Sequence, residues 1–115
     1  MSQRVKTLTS AGEIDRFLAD HAVAVIFKAG MCHRSDAAYD ALQSTLGARP
    51  DLAFAVIPVV EARPASNHLA ERTGVRHESP QLLVFRDGSL VMSRNHWDIT
   101  AEALEAALEE ASAPA

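Results

Sequence analysis

The run Ala22-Val23-Ala24-Val25-Ile26-Phe27 holds six apolar residues in a row. A strand with that pattern is apolar on both faces, so something must cover each face. Leu52 to Val60 is a second such run, interrupted near its end by Pro58. The segments between such runs read as helices. Ser10-Ala11-Gly12-Glu13 fits a capping box, with Ser10 as the cap and Glu13 reaching back. Ile14, Phe17, Leu18 and His21 follow at helical spacing. A second helix is expected from about Cys32 to Leu46, with Ala38, Ala41, Leu42, Thr45 and Leu46 as its buried stripe and Gly47 at the left-handed C′ position. Pro64 suits the first turn of a third helix and Gly74 its end.

Val5 to Leu8 reads as a short edge strand. Ser79-Pro80 interrupts the chain before the strand Gln81 to Phe85. Asp87-Gly88 is a two-residue hairpin signal, with Leu90-Val91-Met92 returning. Thr100 can cap a last helix in which Leu104, Ala107, Leu108 and Ala111 share a face. The order is β-α-β-α-β-α-β-β-α. Alternating strands and helices favour parallel neighbours, whereas the two-residue turn forces a final antiparallel pair. Residues 1–115 therefore read as one α/β domain, a thioredoxin-like mixed sheet of four to five strands with helices on both faces.

Hydrophobic residues make up 48% and charged residues 23% of the chain, the balance of a globular domain. The formal net charge is -4, which gives no attraction to nucleic acid or to an anionic membrane. The longest apolar runs are too short to span a bilayer. Met1 to Lys6 lacks the apolar segment of a signal peptide, and the expected location is cytoplasmic.

Cys32 is the one cysteine. It excludes an intramolecular disulfide and any Cys-only metal site within a single chain. It follows a buried strand by a short loop and is expected to open a helix, close to unpaired N–H groups and the positive end of the dipole. Cysteines so placed fall from a free pKa of roughly 8.5 to about 3.5–7.5. His33, Arg34 and Lys28 add positive potential if they turn towards the sulfur. In Cys32-His33-Arg34-Ser35, Ser35 stands where a dithiol oxidoreductase carries its resolving cysteine. A serine can donate a hydrogen bond to a thiolate but cannot form a disulfide with it, so an external thiol must resolve any mixed disulfide. By itself Cys-X-X-Ser favours a buried structural cysteine, and it is the strand–loop–helix context that brings a reactive one level with it. Ser79-Pro80 lies where this element order carries a cis-proline, which lets the preceding residue offer its backbone to an extended substrate.

Three segments carry a more specific resemblance: Val59 to Asn67, then Gly74-Val75-Arg76-His77-Glu78-Ser79-Pro80-Gln81, then His96-Trp97-Asp98-Ile99-Thr100. Together they resemble the monothiol bacilliredoxin family, small thioredoxin-fold proteins of the bacillithiol redox system, over about Val23 to Leu108. The family's usual Thr-Cys-Pro-Ile-Ser becomes Met31-Cys32-His33-Arg34-Ser35 here, which alters helix initiation and the charge around the sulfur. The resemblance implies no bound cofactor, with bacillithiol as co-substrate. It implies bacillithiolated proteins as partners and a flavin-dependent bacillithiol disulfide reductase acting indirectly. Cys32 would be the nucleophile, and Ser79, Pro80, Arg63 and His77 would meet the substrate.

Other residues have plainer readings. Trp97 reads as core or helix-start packing, and His77-Glu78 as a turn. Glu61 and Arg63 are expected to form a salt bridge. Ser66 and Asn67 suit the start of the third helix as well as any binding role. No histidine spacing matches a zinc or haem signature, and no Cys-Gly-Phe-Ser is present. Two other functions remain compatible with the sequence: a non-catalytic thioredoxin-fold module that binds small thiols or partner proteins, and a glutaredoxin-like iron–sulfur carrier.

Overall fold

The computed structural model describes residues 5–30 and 37–112. In chain order the elements are β1 (Lys6–Thr7), α1 (Ala11–Asp20), β2 (Val23–Ala29), α2 (Ala37–Ala48), β3 (Ala53–Pro58), α3 (Arg63–Thr73), β4 (Gln81–Arg86), β5 (Ser89–Asn95), a 3₁₀ turn (His96–Asp98) and α4 (Ala101–Ser112). The sheet order is β1-β3-β2-β4-β5. β1 and β2 each run parallel to β3, whereas β4 is antiparallel to both β2 and β5. This is the thioredoxin fold, a five-stranded mixed sheet in an α/β architecture.

Side-chain alternation divides the core in two. Val25, Phe27, Phe54, Val56, Leu82 and Val84 point to one face, where they pack with Leu42 and Leu46 of α2 and Leu104 and Leu108 of α4. Ala24, Ile26, Ala55, Ile57, Leu83 and Phe85 point to the other, against Ile14, Phe17 and Leu18 of α1 and Ala65 and Leu69 of α3. β2 supplies both layers, as its unbroken apolar run requires.

Local signals set the element ends. Ser10 Oγ accepts from the Glu13 N–H at 3.2 Å. The Glu13 carboxylate reaches one residue further back than a simple capping box: Oε1 accepts from the Thr9 N–H at 2.9 Å and the Thr9 hydroxyl at 2.8 Å. Those bonds hold the Glu13 carboxyl below its ordinary pKa. Pro64 lies in the first turn of α3, and Gly74 closes it at φ 72°. Asp87 and Gly88 both take positive φ, 50° and 81°, and turn β4 into β5. Thr100 Oγ1 accepts from the Ala103 N–H at the start of α4.

α2 departs from its sequence reading in two ways. Its first expected residues, from Cys32, lie outside the described residues. Gly47 is not a left-handed stop but lies within the helix, which runs to Ala48. The stop falls at Arg49, where the following Pro50 disfavours helical backbone. Ala41 is exposed, because the buried stripe centres on Ala38, Leu42 and Thr45 and leaves it at the margin. No helix among the described residues is long and apolar enough to cross a membrane.

Ser10→Ala removes the oxygen that caps α1. It should lower the unfolding free energy by about 1 kcal/mol, read as a shift in urea midpoint with an unchanged slope.

Candidate functional site

Cys32, His33, Arg34 and Ser35 lie outside the described residues, but the elements that flank them are placed. β2 leads to Gly30, and beside its last residues run β3 and β4, with Lys28 opposite Ile57 on one side and Gln81 on the other. Gln81 directly follows Pro80, and the Ser79–Pro80 peptide is cis. Ser79 and Pro80 are both half-buried. The His96 N–H donates to the Pro80 carbonyl at 3.1 Å, which ties the end of β5 to this corner. Gln81 anchors it from below, its Nε2 donating to the Arg76 carbonyl at 3.0 Å and to Asn95 Oδ1 at 2.9 Å.

Lys28 shares the parity of Ala24 and Ile26, so its side chain enters the α1/α3 layer, where it is fully buried. Its ammonium donates to the Ser66 carbonyl at 3.4 Å, a long hydrogen bond. Loss of water pushes the Lys28 pKa down to about 8. Ser66, also buried, bonds through its Oγ to His77 Nδ1 at 3.0 Å. β2, α3 and the segment before the cis-proline therefore meet through one serine. Ser66 does not cap α3, whose N-cap Ala62 has no side-chain bond.

The His77 pKa is lowered, first by partial loss of solvent and then by the positive charge of Lys28; Arg63 adds to this effect and Glu78 opposes it. Arg63 is exposed at the first position of α3. The Glu61–Arg63 salt bridge expected from sequence is absent among the described residues. The reason is local: the Glu61 and Ala62 N–H groups both donate to the Pro58 carbonyl, so Glu61 belongs to a turn that closes before α3 begins.

Glu78 pairs instead with His96, Oε1 to Nε2 at 3.0 Å. That hydrogen bond is the main reason the Glu78 pKa is lowered. The pair bridges the cis-proline from the residue before Ser79 to the residue after β5. Trp97 overturns its sequence reading: it is 91% exposed. His96 takes φ 50°, and with its N–H held by Pro80 the chain turns Trp97 outward instead of into the core.

Lys28, Arg63, Ser66, His77, Ser79 and Pro80 thus gather at the end of the sheet from which the chain leads to Cys32. Ser66 was ambiguous in the sequence, and its two long-range bonds left no periodic signal. Among the described residues no group of three or more His, Cys, Asp or Glu side chains is placed to hold a metal ion. A pocket of about 540 Å³ lined by Asp15, His21, Arg72 and Gly88 lies at the opposite end of the sheet, beside the Asp87-Gly88 turn.

Burying Lys28 has a cost with a defined sign. The unfolded chain keeps the proton up to about 10.5, whereas the folded chain releases it near 8. The unfolded state therefore binds more protons between these values, and stability from this group rises with pH across that window. Below it the penalty is complete, on the order of 3 kcal/mol. Lys28→Met should raise the unfolding free energy at pH 7 by about 1–3 kcal/mol, and the advantage should shrink as the pH approaches 10. Urea titrations at the two pH values check this; a variant less stable at pH 7 would contradict it.

A solved structure described as an oxidoreductase with a thioredoxin fold is 30% identical and superposes with a TM-score of 0.82, covering 90% of this chain and 93% of its own. A thioredoxin of Fasciola hepatica gives a TM-score of 0.72 at 14% identity, covering 94% of this chain and 100% of its own. A mutant thioredoxin of Entamoeba histolytica gives 0.70 at 18%, covering 93% and 99%. At those identities the two thioredoxins bear on the fold alone. The family model described as monothiol bacilliredoxin BrxC matches residues 6–104, from β1 into α4 and across both Cys32 and the cis-proline. The chain belongs to the monothiol bacilliredoxin family.

Proposed function

We propose that the protein is a cytoplasmic monothiol thiol–disulfide oxidoreductase that removes bacillithiol from protein mixed disulfides. The observation that carries this reading is the family match across residues 6–104, which includes Cys32-His33-Arg34-Ser35. The described geometry supports it: β2, which leads towards Cys32, ends beside the start of β4 and its cis Ser79–Pro80 peptide, and Lys28 is buried among the last residues of β2.

The Cys32 thiolate attacks the bacillithiol sulfur of a protein–bacillithiol disulfide. A Cys32–bacillithiol disulfide forms, and the substrate cysteine leaves as a thiolate that takes a proton from solvent. A second bacillithiol thiolate attacks the bacillithiol sulfur on Cys32. It releases the Cys32 thiolate and forms bacillithiol disulfide, so the disulfide bond passes from the substrate to a pair of bacillithiols: the substrate cysteine sulfur is reduced, and the sulfur of the one incoming bacillithiol is oxidised in its place. A flavin-dependent reductase then returns bacillithiol disulfide to the thiol pool. The domain itself carries no cofactor through this cycle.

Each group has a role. Cys32 is the nucleophile. Ser35 donates to the thiolate, and His33 and Arg34 raise the local positive potential. Lys28 is a positioning residue that acts on the thiolate through its field. The Ser79 backbone pairs with the extended substrate beside Pro80, while Arg63 and His77 meet the carboxylates and polar groups of bacillithiol.

Purified protein with bacillithiol should release thiol from a bacillithiolated protein, and Cys32→Ser should reduce turnover to the uncatalysed background. If Cys32→Ser turned over as fast as wild type, the enzyme reading would be abandoned. A protein that binds the small thiol without turnover would be a binding module, and a coloured dimer after anaerobic reconstitution would point to an iron–sulfur carrier.

Lys28→Met should slow alkylation of Cys32 at pH 7 by about tenfold and move the alkylation midpoint to higher pH. The rate above that midpoint should match wild type. A purely structural role for Lys28 would leave the midpoint where it is.

A further inference from the structure

Ser66 lies inside α3 with its side chain buried. Its N–H donates to the Ala62 carbonyl at 3.1 Å, the ordinary helical bond. A serine hydroxyl carries one proton, and when buried it must give that proton to an acceptor. Within a helix the usual acceptor is the carbonyl four positions back. Here, among the described residues, the partner of the Ser66 hydroxyl is His77 Nδ1 at 3.0 Å, eleven positions on. Ser66 therefore donates and Nδ1 accepts. In a neutral imidazole one nitrogen accepts and the other carries the proton, so the His77 proton sits on Nε2.

Charge points the same way. The Lys28 ammonium bonds to the Ser66 carbonyl at 3.4 Å, so the buried cation lies on the side of His77 that Ser66 occupies. The unprotonated nitrogen is the negative edge of a neutral imidazole, and that edge is the one facing Ser66. A protonated ring would need Nδ1 as a donor. It would leave the hydroxyl proton without an acceptor and set a second cation near Lys28. Arg63 at the start of α3 adds to that opposition, and Glu78, the next residue in the chain, works against it; the net result, with partial loss of solvent as the first cause, is a lowered His77 pKa. His77 is itself exposed, and its Nε2 has no partner among the described residues.

We propose that Ser66 is a positioning residue that fixes His77 as a neutral Nε2–H donor, and that this donor binds a carboxylate oxygen of the small thiol. The inference rests on the reading above in which the chain works on bacillithiol, and it assigns the group that His77 recognises. A carboxylate is the acceptor that the surroundings select, because Lys28 and Arg63 both place positive potential at His77. A hydrogen bond to an ionised acceptor is also stronger than one to a neutral oxygen. The fixed tautomer matters for the same ligand. A free imidazole carries its proton on either nitrogen, and a ring with a bare Nε2 turns a lone pair towards the carboxylate and repels it. Ser66 removes that form from the population, so the ligand meets a ring already in the state it needs.

Long-range proton–nitrogen NMR of the imidazole rings tests this, with the His77 signals identified by their loss in His77→Gln. In wild type at pH 7, Nδ1 should resonate as an unprotonated nitrogen and Nε2 as a protonated one. Ser66→Ala should move both signals towards the averaged position of exchanging tautomers and raise the pH at which the ring titrates. A purely structural role for Ser66 would move neither. Added to Cys32→Ser protein, bacillithiol should shift the Nε2 signal, whereas 2-mercaptoethanol, a thiol without a carboxylate, should leave it in place. His77→Ala in the same protein should weaken bacillithiol binding about fivefold, the loss of one hydrogen bond. A proton on Nδ1 in wild type, a Ser66→Ala spectrum identical to wild type, or an Nε2 signal that bacillithiol leaves unmoved or that 2-mercaptoethanol moves equally would overturn the proposal. The wild-type spectrum decides the tautomer even if Ser66→Ala does not fold. None of these measurements needs turnover, and the activity of Cys32→Ser decides the Cys32 reading, so either can fail alone.

Discussion

β2 is hydrogen-bonded along both edges and buried on both faces, and the rest of the molecule is arranged around that fact. A strand so enclosed can meet solvent only where it ends. Its parallel neighbour β3 ends on the same side, and its antiparallel neighbour β4 begins there. Around β2 the sheet therefore brings the exits of β2 and β3 and the entry of β4 to one place. Helices on both faces leave that end as the natural outlet for chemistry, in line with the rule that open α/β sheets bind ligands at the carboxyl ends of their strands.

At that outlet the core gives up some of its stability. A fully buried ammonium with one long bond to a carbonyl is a poor substitute for a methionine as packing. It is, however, the only cation that β2 sends into this layer, and it lies four residues before the cysteine. Stability traded for a buried charge beside a candidate site is a familiar pattern. Ser66 makes the trade tolerable. Its carbonyl receives the ammonium, and its hydroxyl holds His77, whose pKa is lowered first by partial loss of solvent and then by the charge on Lys28. Charge on β2, the start of α3 and the approach to the cis-proline are thereby coupled.

Features set by neighbouring residues were legible in the sequence. The Ser10 cap, Pro64 and Gly74 around α3, the Asp87-Gly88 turn and the Thr100 cap each involve groups within a few positions of one another. Their physics is complete inside a short window. The bond between Lys28 and Ser66 spans 38 positions and that between Glu78 and His96 spans 18, and no periodicity announces either. Trp97 failed for a related reason. Its size argues for the core, but the direction it takes is decided by the hand of His96, which depends on a carbonyl across the sheet. Gly47 suggested a helix end because glycine permits a left-handed stop; Pro50, three positions on, is the residue that imposes one. The reading of Cys32 as the reacting thiol rests on strand, loop, serine and family resemblance, all in the sequence, and the residue itself lies outside the described ones.

Lys28 has one more consequence. A strand that is apolar on both sides carries little information about which side is which. Sliding β2 by one position against β3 and β4 would exchange its two sets of side chains, and for alanine, valine, isoleucine and phenylalanine that exchange would still be oily against oily. The lysine breaks the symmetry. In the slipped pairing its ammonium would enter the layer beneath α2 and α4, far from the Ser66 oxygen and among Leu42, Leu46 and Leu104. The same residue that weakens the native packing thus weakens the misaligned packing more, and it acts as the key that admits the strand in one setting only.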